Sequence, residues 1–109
     1  SLFLMDPETS LLENLVAVTL KKRYGDDLYF YHRNIEVDFY LDEVHKAIQV
    51  SYSLKDPETR KREVNALLKL AENVAVDDLC IITRDEEEII VEGGKTIRVV
   101  PVWRWLLGY

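Results

Sequence analysis

Two short runs, Glu36-Val-Asp-Phe-Tyr-Leu-Asp42 and Ala47-Ile-Gln-Val-Ser-Tyr-Ser53, alternate apolar and polar residues and leave only a tight link between them. A period of two marks strands with two unlike faces. In the first run Ile35, Val37, Phe39 and Leu41 fall on one face, and Glu36, Asp38, Tyr40 and Asp42 on the other. In the second, Ile48, Val50 and Tyr52 oppose Ala47, Gln49, Ser51 and Ser53. A link as short as Glu43-Val44 makes the two runs an antiparallel hairpin. With Asp42 and His45 flanking the turn, Asp38 lies opposite Gln49 and Glu36 opposite Ser51. Those polar side chains then meet on one patch, which is where chemistry is to be sought.

The rest of the chain arranges itself around this hairpin. Asp6-Pro-Glu-Thr9 recurs as Asp56-Pro-Glu-Thr59, and both copies are helix-start chemistry: an aspartate cap, proline at the first helical position, an acid in the first turn. The first helix runs to about Tyr24, with Leu12, Leu15, Val16, Thr19 and Leu20 as its buried stripe and Gly25 as its stop. Ser10-Leu-Leu-Glu13 reads as a capping box; if the helix starts at Pro7 instead, Glu13 is interior. Residues 1–10 are a helix lead-in or a remnant of expression. Leu28-Tyr-Phe-Tyr31 is a short aromatic strand, joined to the hairpin by His32-Arg-Asn34. The second helix follows Asp56-Pro57 and buries Val64, Leu67, Leu68 and Ala71, with Lys55, Arg60, Lys61, Arg62 and Glu63 outward. Leu79-Cys-Ile-Ile-Thr83 is a strand covered on both faces. Ile89-Ile-Val91 and Thr96-Ile-Arg-Val-Val100 form a second hairpin about Gly93-Gly94. Val102-Trp-Arg-Trp-Leu-Leu107 closes the chain as a short helix whose tryptophans cap the core. This order predicts one α/β domain over residues 1–109, a mixed β-sheet flanked by helices, with one crossover helix between parallel strands.

Composition narrows the function classes. A chain of 109 residues, 48% hydrophobic and 31% charged, is globular and not disordered. A net charge of −6 gives no overall field to draw the chain to nucleic acid or anionic membrane. No apolar run approaches the length of a membrane span. The lone cysteine, Cys80, forms no internal disulfide and reads as a small buried hydrophobe. The expected compartment is the cytoplasm. Arg60-Lys61-Arg62 is a local basic cluster: a solvated helix face by default, a DNA phosphate contact by the sharper reading.

Water activated by Mg²⁺ or Mn²⁺ against a phosphodiester needs hard oxygen ligands and a nearby cation. Two carboxylates on adjacent strands, with a lysine two residues beyond the second, would serve. Here Asp38 supplies the first carboxylate. The second position holds Gln49, a poor ligand, and the cation position holds Ser51. Glu36 and Glu13 offer further oxygens, so a weak metal site would rest on Asp38 and Glu36. Otherwise no cofactor is expected, and nothing reads as a phosphate-binding G-x-x-x-x-G-K-[ST] loop.

Leu11-Leu-Glu-Asn-Leu-Val16, Glu36-Val-Asp-Phe39, Ile48-Gln-Val-Ser-Tyr-Ser53, Glu63-Val-Asn-Ala-Leu-Leu68 and Val102-Trp-Arg-Trp-Leu-Leu107 together resemble a known family. It is the C-terminal domain, of unassigned function, that follows an AAA+-type P-loop ATPase module in bacterial and archaeal proteins. That domain in turn resembles the PD-(D/E)xK, restriction-endonuclease-like fold. The likeness runs from Leu11 to Tyr109 and rests on the order and spacing of the segments. It implies an α-β-β-β-α-β core with a C-terminal hairpin and short helix, and an ATPase module N-terminal to it as partner. It matches Asp38 to the metal-binding aspartate and Glu13 to the acid on the first helix. Gln49 and Ser51 stand in the places of the acid and lysine of (D/E)xK. The expectation is therefore a degenerate nuclease site, with Asp38, Gln49, Ser51, Glu13 and Glu36 as its positions. Such a domain would bind DNA or protein and not cleave. The rivals are a surviving Mg²⁺- or Mn²⁺-dependent nuclease and a purely structural or oligomerising domain.

Overall fold

Both long helices start on the repeated Asp-Pro-Glu-Thr. In the computed structural model, which describes residues 6–25, 37–108 and the backbone of 29–31, α1 spans Pro7–Tyr24 and α2 spans Pro57–Asn73. Asp6 Oδ1 accepts from the Thr9 amide at 2.7 Å, and Asp56 Oδ2 accepts from the Thr59 amide at 2.9 Å. These bonds satisfy amides that no helical carbonyl can reach. The Thr59 amide and then its hydroxyl hold the Asp56 carboxyl below the usual aspartate range. The capping-box reading of Ser10 is thereby corrected. The Ser10 amide already bonds the Asp6 carbonyl at 3.1 Å, so Glu13 lies inside the helix.

The strands are β1 (Tyr29–Tyr31), β2 (Val37–Leu41), β3 (Lys46–Val50), β4 (Asp78–Thr83), β5 (Glu88–Glu92) and β6 (Lys95–Pro101), followed by α3 (Val102–Leu106). They form one sheet in the order β1-β2-β3-β4-β6-β5. β3, β4 and β6 run parallel; β1–β2, β2–β3 and β5–β6 pair antiparallel. The expected α/β architecture, a mixed sheet flanked by helices with α2 as crossover from β3 to β4, is what the chain adopts. Gly93 and Gly94 turn the β5–β6 hairpin with φ of 59° and 74°, the left-handed pair that a type I′ turn requires.

The sheet is buried on both faces at β2, β3 and β4, whereas Ile89 and Val91 of β5 are exposed. Ala47, Leu79, Ile81, Ile97 and Val99 pack with Val64, Leu67 and Leu70 of α2. Phe39, Leu41, Ile48, Val50, Cys80 and Ile82 pack with Leu12, Val16 and Leu20 of α1 and Trp105 of α3. Strand β4 feeds both clusters, which is why its sequence is apolar without alternation.

Four expected placements are corrected. Val37 packs on the α2 side with Tyr40, not with Phe39 and Leu41. The cause is a bulge. Tyr29 pairs with Tyr40 but Tyr31 pairs with Val37, so β2 carries one extra residue at Asp38-Phe39 and the alternation slips. Leu15 is 42% exposed and points away from the buried stripe of α1. Trp103 is exposed, and only Trp105 caps the core. Glu63 is not outward: it is 3% exposed, because it sits one turn before Leu67 on the buried line of α2.

Leu67 has no exposed surface and lies at the centre of the α2-side cluster. Leu67→Ala is expected to cost about 2–5 kcal/mol of unfolding free energy, read by urea denaturation.

Candidate functional site

The hairpin of β2 and β3 has the register expected over its paired residues and brings Asp38 and Gln49 together. Phe39 pairs with Ile48, Tyr40 with Ala47 and Leu41 with Lys46, which puts Asp38 opposite Gln49. His45 closes the turn, its amide donating to the Asp42 carbonyl at 3.3 Å, with a left-handed φ of 54°. Beyond Phe39–Ile48 side chains take over the bonding between the strands. The Asp38 amide donates to Gln49 Oε1 at 2.8 Å, and the Val50 amide donates to Asp38 Oδ2 at 2.8 Å. Asp38 and Gln49 are both buried, so each side chain replaces a carbonyl that the opposite strand no longer presents.

The segment that follows is held the same way by other elements. The Ser51 amide bonds the Ile82 carbonyl of β4 at 3.0 Å. The Tyr52 amide donates to Thr9 Oγ1 of α1 at 3.0 Å. The Leu54 amide donates to Glu86 Oε1 at 2.8 Å, and the Ser53 hydroxyl donates to the other oxygen of that carboxylate. Glu86 is itself fixed by its amide and carbonyl, both bonded to the Thr83 hydroxyl. Ser51, at the lysine position of the nuclease pattern, turns its hydroxyl onto the Ser53 carbonyl at 2.8 Å. Glu13 lies on the next turn of α1 after Thr9, half-buried. Glu36 falls outside the described residues.

This donor set does not suit a divalent cation. One Asp38 oxygen and the Gln49 amide oxygen already accept backbone amides, and the Ser51 hydroxyl is a donor. Among the described residues no three or more of His, Cys, Asp and Glu come together to hold a metal ion. Cys80 offers no nucleophile: burial pushes its thiol up to about 12, so it stays protonated at neutral pH.

The α2 basic cluster is partly consumed. Arg60 grips Glu88 of β5 with both guanidinium nitrogens, at 2.8 and 2.6 Å. Arg62 approaches the buried Glu63 at 4.0 Å. Lys61 is exposed. No described helix is long and apolar enough to cross a membrane.

Thr9, Glu86 and the buried position of Glu63 were missed from sequence. For Thr9 and Glu63 the signal was helical spacing: Thr9 precedes Leu12 and Val16 on one stripe, and Glu63 precedes Leu67 by four. For Glu86, inside an acidic run, there was none. Comparison with protein-family models, with curated proteins and with solved structures finds no match to this chain.

Two outcomes follow from these bonds. Asp38→Ala strands the buried Val50 amide and is expected to cost about 1–3 kcal/mol. Asp38→Asn keeps an acceptor and costs less, and Val50 amide exchange by NMR speeds up only in the alanine variant. The second concerns Glu88, whose hydrogen bonds from Arg60 hold its pKa below the ordinary glutamate value. Its stabilisation is present above the unfolded-state pKa and lost as pH falls through the lower folded one. Glu88→Gln should therefore destabilise at pH 7 and make no difference in strong acid. The pair is over a third exposed, so the gap in urea unfolding should stay within about 1 kcal/mol.

Proposed function

We propose that this chain is a catalytically degenerate, restriction-endonuclease-like domain that acts by binding protein, joined to an AAA+-type ATPase module as the family resemblance implies. The carrying observation is the exchange between β2 and β3: the groups standing at the metal-site positions, Asp38 and Gln49, serve as acceptors for the amides of Val50 and Asp38. Further support comes from the element order α1-β1-β2-β3-α2-β4, with the four strands adjacent in sequence order. The bulge at Asp38-Phe39 adds to it, since bulges gather where a strand re-aims a site residue. Ser51 brings no charge where a cation would offset the leaving oxyanion.

Binding of a DNA backbone is the weaker reading. It draws on Arg60, Lys61 and Arg62, but Glu88 holds Arg60, and the net charge of −6 opposes a polyanion. A line of exposed apolar side chains on α1, Leu11, Leu15 and Val18, favours a protein partner.

Plasmid DNA incubated with the chain and Mg²⁺ or Mn²⁺ should remain intact. Cleavage that Asp38→Ala abolishes would overturn the degenerate reading. The ancestry of the site has its own test. Gln49→Glu sets a second buried carboxylate beside Asp38, so it should lower the Tm without metal and recover part of the loss in Mn²⁺. Wild-type Tm should not respond. A Gln49→Glu variant equally indifferent to Mn²⁺ would remove the assignment of these positions to a metal site.

A further inference from the structure

Helix α1 carries two apolar stripes, and only one of them meets the sheet. Leu12, Val16 and Leu20 are buried. Leu11, Leu15 and Val18 are 71%, 42% and 53% exposed. At about 100° per residue these three fall within an arc of about 60°, centred about 130° round the helix from the buried line. Single exposed apolar residues are ordinary, but three in register along one helix make a seam.

The charges at the ends of this seam are arranged for self-pairing. Glu8 and Lys22 lie on the same outward line, Glu8 seven residues before Leu15 and Lys22 seven after it. Both are exposed. When two copies of α1 are laid antiparallel about Leu15, Leu11 of each meets Val18 of the other, and Glu8 of each meets Lys22 of the other, about 10 Å from the axis. A parallel arrangement sets glutamate against glutamate and lysine against lysine. The antiparallel one also opposes the helix dipoles.

We propose that the outer stripe of α1 is a two-fold interface at which this chain pairs with a second copy of itself, α1 antiparallel to α1. The inference goes beyond the nuclease-like reading and does not depend on it. The contact is isologous, so Leu15 faces its own counterpart across the axis. Three apolar side chains per copy make a small interface, below the standard size of about 1,200–2,000 Å². The dimer is therefore weak and concentration-dependent, and the flanking charges set its orientation more than its strength.

Sedimentation of the whole chain from about 10 µM to about 1 mM tests this, spanning the dissociation constants such an interface allows. A monomer–dimer equilibrium is expected. Leu15→Glu and Leu15→Arg place like charges across the axis, and each should raise the dissociation constant at least about tenfold. Mixed in equal amounts, the two variants should re-associate. Lys22→Glu should weaken the dimer, and Glu8→Lys added to it should restore it. Circular dichroism checks that each variant is folded, which the exposure of these positions favours. A wild-type chain that stays monomeric throughout, a dimer indifferent to both Leu15 variants, or folded Leu15 variants that do not re-associate on mixing would each overturn the proposal.

Discussion

Where β3 leaves the sheet, a run of backbone amides loses its natural acceptors, and much of the architecture is arranged to supply replacements. A buried amide without a partner costs about 1–3 kcal/mol, as much as a sizeable part of one core side chain. Asp38 serves Val50, the Ile82 carbonyl serves Ser51, Thr9 serves Tyr52 and Glu86 serves Leu54. The acceptors come from β2, β4, α1 and the β4–β5 connection. One short segment thus ties both sheet faces and the start of α2 together. The polar groups are short and their geometry specific, so they also fix register. A slip of one residue in β2 would turn Asp38 away from Val50 and put apolar groups against the open amides.

The same economy explains why this patch does not look like a working metal site. A cation held by Asp38 would compete with the Val50 amide for the carboxylate, and Gln49 would have to release the Asp38 amide. In an apolar surround both exchanges are costly, since a freed amide finds no water. Polar residues in such a place can serve either chemistry or structure. Here the side chains at the relevant positions have bonds that close upon the backbone, down to the Ser51 hydroxyl returned to the Ser53 carbonyl.

How much of this was legible in advance depends on the physics each residue obeys. Helix starts were legible because capping is local: Asp-Pro-Glu-Thr meets its own amides three residues on. The hairpin register was legible because the link between the runs admits little choice. The glycine turn and the doubly buried β4 followed from conformational and burial rules of equal locality. The bulge in β2 was not legible. It is set by pairing with β1, and it carries Val37 to the other face. Glu63 follows its helical position and not its charge, and Leu15 belongs to the outer of two apolar stripes on α1 that spacing alone does not tell apart. Helical spacing marks Thr9 as buried but not that it serves Tyr52, and no local pattern announces Glu86 as the acceptor for Leu54.

Five arginines bond groups of the same chain. Arg23 bonds the Trp105 and Leu106 carbonyls at the end of α3, at 3.3 and 3.1 Å, and lies 4.6 Å from the centre of the Trp105 ring. Arg60 fastens β5 to α2 through Glu88. Arg98 of β6 bonds Asp78 of β4, which Lys46 of β3 also approaches at 3.9 Å. Arg104 pairs with Glu87 and Arg84 with Asp85. Each of these planar forks, the group best matched to phosphate, is already matched to a carbonyl or carboxylate of the same chain. Arg23 and Arg104 fasten α3, and Arg60 fastens β5, beside the burial of Trp105 and Ile90 in the core. These five arginines are thus already engaged within the chain, while Leu11, Val91 and Trp103 stay exposed.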